Sequence, residues 1–184
     1  MKNTAIIVVD MLYDFIDGSM ACQGADAAVA NSLAFIKAHR ELPLVFVRDH
    51  HPANHSSFKE FGGIWPPHCV QGTRGAQIHE DLAPFADDEG LVFFKGEDPA
   101  SEQYSGFEGK NEAGQGMGEV LHLMEIEHVL VCGIATEYCV RNTAEDLLKD
   151  GFQVTVLKDC IAWVDADGHR QALAEMEKEG IKLS

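Results

Sequence analysis

The sequence has few positive charges for its acidic content. Its 184 residues include 14 lysines and arginines against 30 aspartates and glutamates, which gives a formal net charge of -16 at pH 7. Such a chain lacks the basic surface that holds nucleic acid phosphates or an anionic membrane regardless of sequence. We therefore expect neither nucleic acid nor a membrane as a partner, but a small molecule.

The chain also lacks a disulfide framework and a long hydrophobic run. Its five cysteines are odd in number and include no C-x-x-C pair, and 46% hydrophobic residues suffice for one core without cross-links. The first apolar run, residues 5–9, is too short for a signal peptide or a membrane span. We expect one domain, residues 1–184, in the reducing cytoplasm, as a monomer or a homo-oligomer.

Short apolar runs alternate with helical patterns along the chain. Runs rich in β-branched residues are typical of parallel strands buried on both faces, and they occur at residues 5–9, 44–47, 91–94, 129–132 and 154–157. Helical spacing occurs at 25–40, 117–124, 136–150 and around 172–176, and residues 181–183 can add an edge strand. This alternation predicts an α/β fold, a doubly wound, mostly parallel sheet with helices on both faces.

Chemically capable side chains follow four of the predicted strands. Asp10, Asp49 and Lys95 come directly after a strand, and Cys139 follows another by one short loop. Ligands of doubly wound sheets bind beyond the carboxyl ends of the strands. We therefore expect these four side chains to meet at one edge of the sheet.

Cys139 is a candidate nucleophile. If Thr136 is the N-cap of the following helix, Cys139 lies in the first turn, where free N–H groups and the helix dipole favour a thiolate. Taken alone, the segment fits a small buried core cysteine better than a nucleophile. Asp10 could serve as its base and Lys95 could hold both charges, although the first could be a turn cap and the second a solvated strand end. Backbone N–H groups of Ala135 and Cys139 could form an oxyanion hole.

Residues 50–80 show no periodicity and carry five histidines, which is typical of a functional loop. In an extended segment Asp49 and His51 face the same side while His50 faces away, and His68 is a natural third ligand. One carboxylate and two imidazoles suit one divalent metal ion, zinc first, with iron or manganese as alternatives. Histidines also cluster in polar loops without a metal. His55 could be a fourth ligand, a partner of bound water or a loop stabiliser.

Aromatic side chains lie in the loops beside these candidates. Phe15, Trp65 and Tyr104 could stack on a flat heteroaromatic ring, and ordinary packing is an equally good explanation for each of them.

Six stretches of the sequence form a larger pattern, which covers nearly the whole chain. They are V-D-M-L-Y-D-F at 9–15, D-H-H-P-A-N-H-S-S-F at 49–58, W-P-P-H-C-V-Q-G-T-R-G at 65–75, K-G at 95–96, Y-S-G-F at 104–107 and G-I-A-T-E-Y-C-V at 133–140. As a set they resemble the nicotinamidases (pyrazinamidases) of the isochorismatase-like cysteine hydrolase superfamily. The D-x-H-P and W-P-P-H-C-V blocks are specific to members that contain a metal.

The resemblance implies an enzyme of NAD salvage that hydrolyses nicotinamide to nicotinate and ammonia, with pyrazinamide as a second small-molecule substrate. It implies the isochorismatase-like hydrolase fold and a catalytic triad of Asp10, Lys95 and Cys139. The cysteine would attack the carboxamide carbon and form a thioester, and Asp10 would carry the proton to the departing ammonia.

The resemblance also implies that Asp49, His51 and His68 hold the metal, which anchors the pyridine nitrogen, and that the ring lies between Phe15 and Trp65. Tyr104 and Ala135 complete the substrate site in this interpretation. The oxyanion donors are Ala135 and Cys139, and the Ile134–Ala135 peptide is expected to be cis.

Two positions depart from the family pattern: Leu12 stands where glutamine is common, and Tyr138 where histidine is common. Two alternatives therefore stay open, a hydrolase of the same superfamily that acts on another small amide and a non-catalytic relative that binds a metal or nicotinamide.

Overall fold

A six-stranded sheet forms the centre of the computed structural model, which describes residues 3–184. Its strands run parallel throughout, in the order β3-β2-β1-β4-β5-β6. They are β1 (Thr4–Val9), β2 (Leu44–Asp49), β3 (Val92–Lys95), β4 (His128–Ile134), β5 (Gln153–Ala162) and β6 (Lys182–Leu183). The predicted doubly wound fold is confirmed, and the edge strand predicted at the C-terminal end is present.

Helices cover both faces of this sheet. They are α1 (Tyr13–Ile16), α2 (Ala25–Ala38), α3 (Met117–Leu123), α4 (Arg141–Lys149) and α5 (Ala166–Glu179). Side chains of a strand alternate between the two faces, so Ile6 and Val8 of β1 pack in one core with α2, while Ile7 and Val9 pack in the other with α3, α4 and α5. Within residues 3–184 no helix combines the length and the apolar character needed to cross a membrane.

Strand β5 is longer than its sequence pattern predicts. The apolar run covers residues 154–157, but the strand continues to Ala162 through the exposed Lys158 and Asp159. The pairing of β4 and β5 shifts at this point: Val131 pairs with Val156 and Gly133 with Ile161, so β5 carries three extra residues here. The hydrogen-bonded strand therefore continues past the polar residues at which the apolar run in the sequence ends.

The histidine-rich segment is irregular, as predicted, apart from short 3-10 turns at Lys59–Phe61 and Arg74–Ala76. The segment folds back on itself, because the His51 N–H donates to the Cys69 carbonyl at 3.0 Å and the Gln71 N–H donates to the His51 carbonyl at 2.8 Å. This pairing brings His68 next to His51.

The order of the strands places a crevice between the ends of β1 and β4. The chain leaves β1 for one side of the sheet and β4 for the other, which is where doubly wound folds bind ligands. Gly133 allows the close approach: its φ is +137°, and a Cβ atom there would overlap the carbonyl oxygen of Val9. Asp10 and the segment that carries Cys139 leave the sheet on either side of this crevice.

Candidate active site

Lys95 lies at the centre of a buried cluster at the carboxyl edge of the sheet. Its Nζ atom is 3.0 Å from Oδ2 of Asp10, donates to Oδ1 of Asp49 and is 3.5 Å from Sγ of Cys139. Lys95 is only 1% exposed, and the other three residues are buried. The structure thus brings together the four strand-end side chains that the sequence places between positions 10 and 139.

Burial and mutual charge set the protonation of this cluster. Burial raises the pKa of Asp10 to about 6, although the Lys95 charge lowers it. Burial also raises the pKa of the Cys139 thiol well above its usual value, against the opposing effect of Lys95. Burial alone would lower the pKa of Lys95. The charges of Asp10 and Asp49 outweigh this effect and raise the pKa well above its ordinary value. At rest the cluster therefore holds a neutral thiol, a charged lysine and a carboxyl group that can accept a proton near neutral pH.

The turn that carries Cys139 corrects one prediction. Thr136 is not the N-cap, because its hydroxyl donates to the carbonyl of Ala162 at 3.0 Å. The cap position is held by Ala135, whose carbonyl accepts N–H groups from Tyr138 and Val140, both at 3.1 Å. Cys139 lies in the single π-helical turn Thr136–Val140 that leads into α4. The Ile134–Ala135 peptide is cis, as the resemblance implied.

A second cluster shares Asp49 with the first. The Oδ2 atom of Asp49 is 3.4 Å from Nε2 of His51 and 3.8 Å from Nε2 of His68. The three donor atoms all lie within 4.8 Å of one another. The opposite ring nitrogens are fixed, because Nδ1 of His51 donates to the Gly96 carbonyl at 2.9 Å and Nδ1 of His68 donates to the Pro66 carbonyl at 2.8 Å. Both Nε2 lone pairs are thereby directed at the same point as the carboxylate.

The three residues fit a divalent metal ion. Nε2 of His51 is buried and has no hydrogen-bond partner among the described residues, an arrangement that is unfavourable unless a ligand occupies the position. Two imidazoles and a carboxylate, with room for further ligands, form a donor set for zinc, iron(II) or manganese. Gly96 packs against the His51 ring so closely that a Cβ atom would overlap it, which fixes the ring from the second side.

The neighbouring histidines take other roles. His55 accepts the N–H of Ser57 at Nδ1, at 3.2 Å, and its Nε2 donates to the Ser101 carbonyl at 3.1 Å. Both ring nitrogens are engaged, one within the loop and the other with the segment that follows β3, and these contacts favour the loop-stabilising alternative. His50 faces away from the cluster and pairs with Glu97 at 2.8 Å, as the alternation along the strand predicts.

A cleft opens onto both clusters. Trp65 donates its indole N–H to the Tyr104 hydroxyl at 3.1 Å, and the edge of Trp65 packs against Tyr138. The cleft is lined by Phe15, Met20, Asp49, Trp65, His68, Glu102, Tyr104, Ala135, Tyr138, Cys139 and Val164. The sequence did not single out Met20, Glu102 or Val164 for this role. For Tyr138 the sequence offers one indication of a place in the cleft, which is its position next to Cys139.

Substitution of His51 by alanine should remove the metal. The variant lacks one of the three side chains that could hold the ion, and we expect its metal affinity to fall by roughly 100-fold or more, because a carboxylate and a single imidazole remain. His50→Ala is the matched control, since it removes the adjacent imidazole outside the cluster. Elemental analysis after dialysis against a weak chelator measures both, and equal metal content in the two variants would exclude His51 as a ligand.

Comparison with known proteins gives consistent matches. The model of the Isochorismatase domain matches residues 4–184. The nicotinamidase/pyrazinamidase of Mycobacterium tuberculosis is 38% identical over 184 residues, which cover 97% of each chain. The crystal structure of pyrazinamidase of Pyrococcus horikoshii in complex with zinc has a TM-score of 0.86 and 38% identity and covers 99% of this chain and 98% of the other. The structure of PnC1 from L. infantum in complex with nicotinate has a TM-score of 0.87 and 35% identity, over 98% and 91% of the two chains.

Proposed function

The chain belongs to the isochorismatase domain family, and from this membership we propose that it is a metal-containing amidohydrolase that converts nicotinamide to nicotinate and ammonia. One observation carries the proposal: the cluster around Lys95 and the metal-ligand set open into the same cleft, whose wall includes both Cys139 and His68. The relatives that act on nicotinamide and pyrazinamide support the choice of substrate, with pyrazinamide as a second candidate.

The residues of the cleft would bind a flat heteroaromatic amide as follows. Phe15 and Trp65 would contact the ring. Asp49, His51 and His68 would hold the divalent ion, with zinc as first choice, and the bound ion supplies a Lewis-acidic position for the ring nitrogen. This placement directs the carboxamide towards Cys139.

The groups around Cys139 would then carry out hydrolysis in two steps. Asp10 accepts the thiol proton, sulfur attacks the carboxamide carbon, and N–H groups of Ala135 and Cys139 stabilise the oxyanion. Asp10 returns the proton to the nitrogen as the C–N bond breaks, which releases ammonia and leaves a thioester. Water, deprotonated by Asp10, attacks the thioester, and the sulfur leaves with that proton. A pKa of about 6 for Asp10 suits both directions of transfer near neutral pH, and the charged Lys95 holds Asp10 next to the sulfur.

Ammonia release tests this function. Metal-loaded protein with reduced thiols, incubated with nicotinamide, should produce equal amounts of ammonia and nicotinate, which a coupled ammonia assay and chromatography measure. Absence of both products would contradict the proposal. Hydrolysis of other small amides but not of nicotinamide would assign the chain to another amidase of the family, and binding without turnover would identify a non-catalytic relative.

A further inference from the structure

Glu102 is an acidic side chain of the cleft that neither cluster uses. It lies on the cleft wall together with Asp49, but Asp49 is buried and pairs with Lys95, whereas Glu102 is exposed at the rim. No lysine, arginine or histidine within residues 3–184 lies at ion-pair distance from it. Glu102 therefore forms no ion pair with a neighbouring side chain.

The two residues that follow Glu102 are anchored to the site. The Gln103 side chain accepts the N–H of Gly96 at 2.8 Å, and the Gln103 carbonyl is 3.4 Å from Nζ of Lys95. Tyr104 accepts the indole N–H of Trp65 at 3.1 Å. Because these contacts fix residues 103 and 104, Glu102 stays at the rim of the cleft.

The proposed reaction changes the charge of the ligand in this cleft. A neutral carboxamide enters, and a carboxylate with the same ring remains after ammonia has left. A fixed negative charge on the wall repels the carboxylate and has little effect on the amide. Partial desolvation of the carboxyl group by the cleft wall, followed by the charge of Asp49, raises the pKa of Glu102, against the opposing effects of His51 and Lys95.

We propose that Glu102 is a specificity-determining residue that weakens binding of the carboxylate product relative to the amide substrate and so favours product release. This inference rests on the proposed function, because it requires the amide and the carboxylate to occupy the same cleft. It depends on the position and charge of Glu102 and not on contact with the reacting atoms.

Calorimetric titration of two ligands tests the inference without turnover. Zinc-loaded protein that carries Cys139→Ala is titrated at pH 8 with nicotinamide and with nicotinate, with and without the additional change Glu102→Gln. Removal of a charge at the rim should tighten nicotinate binding by about three- to tenfold more than nicotinamide binding. Glu108→Gln is the matched control, because Glu108 is exposed on the same segment outside the cleft, and it should leave the ratio of the two dissociation constants unchanged.

Three results would overturn the inference: an unchanged ratio in the Glu102→Gln variant, an equal change in that ratio in the Glu108→Gln variant, or a loss of bound zinc in the Glu102→Gln variant. Failure of nicotinamide to bind to the Cys139→Ala protein would instead contradict the proposed function, which requires that binding. Binding of both ligands with an unchanged ratio therefore contradicts only the role of Glu102.

Discussion

Replacement of Cys139 by alanine should abolish ammonia release, with a fall in kcat of roughly 10⁴-fold or more, as for loss of the nucleophile in other covalent hydrolases. In the proposed reaction the sulfur, 3.5 Å from Nζ of Lys95, is the nucleophilic atom, and a methyl group cannot form the thioester. Metal content should stay at the parent value, because Cys139 is not among Asp49, His51 and His68, the residues proposed to hold the ion. Initial rates with saturating nicotinamide and elemental analysis of the same samples measure both quantities.

Cys22→Ala is the control for this experiment. Cys22 is half-buried, and its thiol donates to the Met20 carbonyl outside the Lys95 cluster, so the variant should keep the parent rate. Turnover by the Cys139→Ala protein at more than about 1% of the parent rate would contradict covalent catalysis by this residue.

Lys95→Met should lower the free energy of unfolding more than any of the other substitutions described above. Lys95 is the cation between Asp10 and Asp49, which are 0% and 4% exposed, and methionine leaves two buried carboxylates without a counter-charge. Loss of one partner from a buried ion cluster costs about 3–5 kcal/mol in the free energy of unfolding. Urea denaturation in the presence of a chelator measures this loss without a contribution from bound metal.

The loss should increase with pH. Without the lysine charge the two carboxyl groups have a higher pKa in the folded state than in the unfolded state, so their protonated forms favour folding and this contribution disappears as the pH rises through the folded pKa. Lys110→Met is the control, since its side chain is exposed, and it should change stability by less than about 0.5 kcal/mol. A loss of under 1 kcal/mol for Lys95→Met at pH 8 would show that water reaches the cluster.

Much of the fold could be predicted from local patterns. Apolar runs mark the strands because both faces of a parallel sheet are buried. Asp10 and Lys95 stand out because each is the first polar residue after such a run, and Asp49 follows its run after Arg48. The parallel arrangement then requires their side chains to converge. The alternation of residues 49–51 likewise indicates correctly which histidine faces Asp49.

Features that depend on tertiary contacts could not be predicted in this way. Thr136 has the chemistry of a helix cap, but its hydroxyl bonds instead to Ala162, a residue of a strand that follows later in the chain. The role of Asp49 in both clusters is another example, because the sequence does not show that one carboxylate oxygen contacts Lys95 while the other faces the histidines. Glu102 and Val164 reach the cleft from irregular segments, where no periodicity indicates the direction of a side chain.

The wholly parallel sheet also has a consequence for folding kinetics. No two paired strands are joined by a hairpin, so every pairing closes a long connection, and the relative contact order is high for a chain of this length. Asp10, Asp49, Lys95 and Cys139 meet only when β1, β2, β3 and β4 are all in register. On refolding, helical circular dichroism should therefore recover before enzymatic activity, and activity should report the completed sheet.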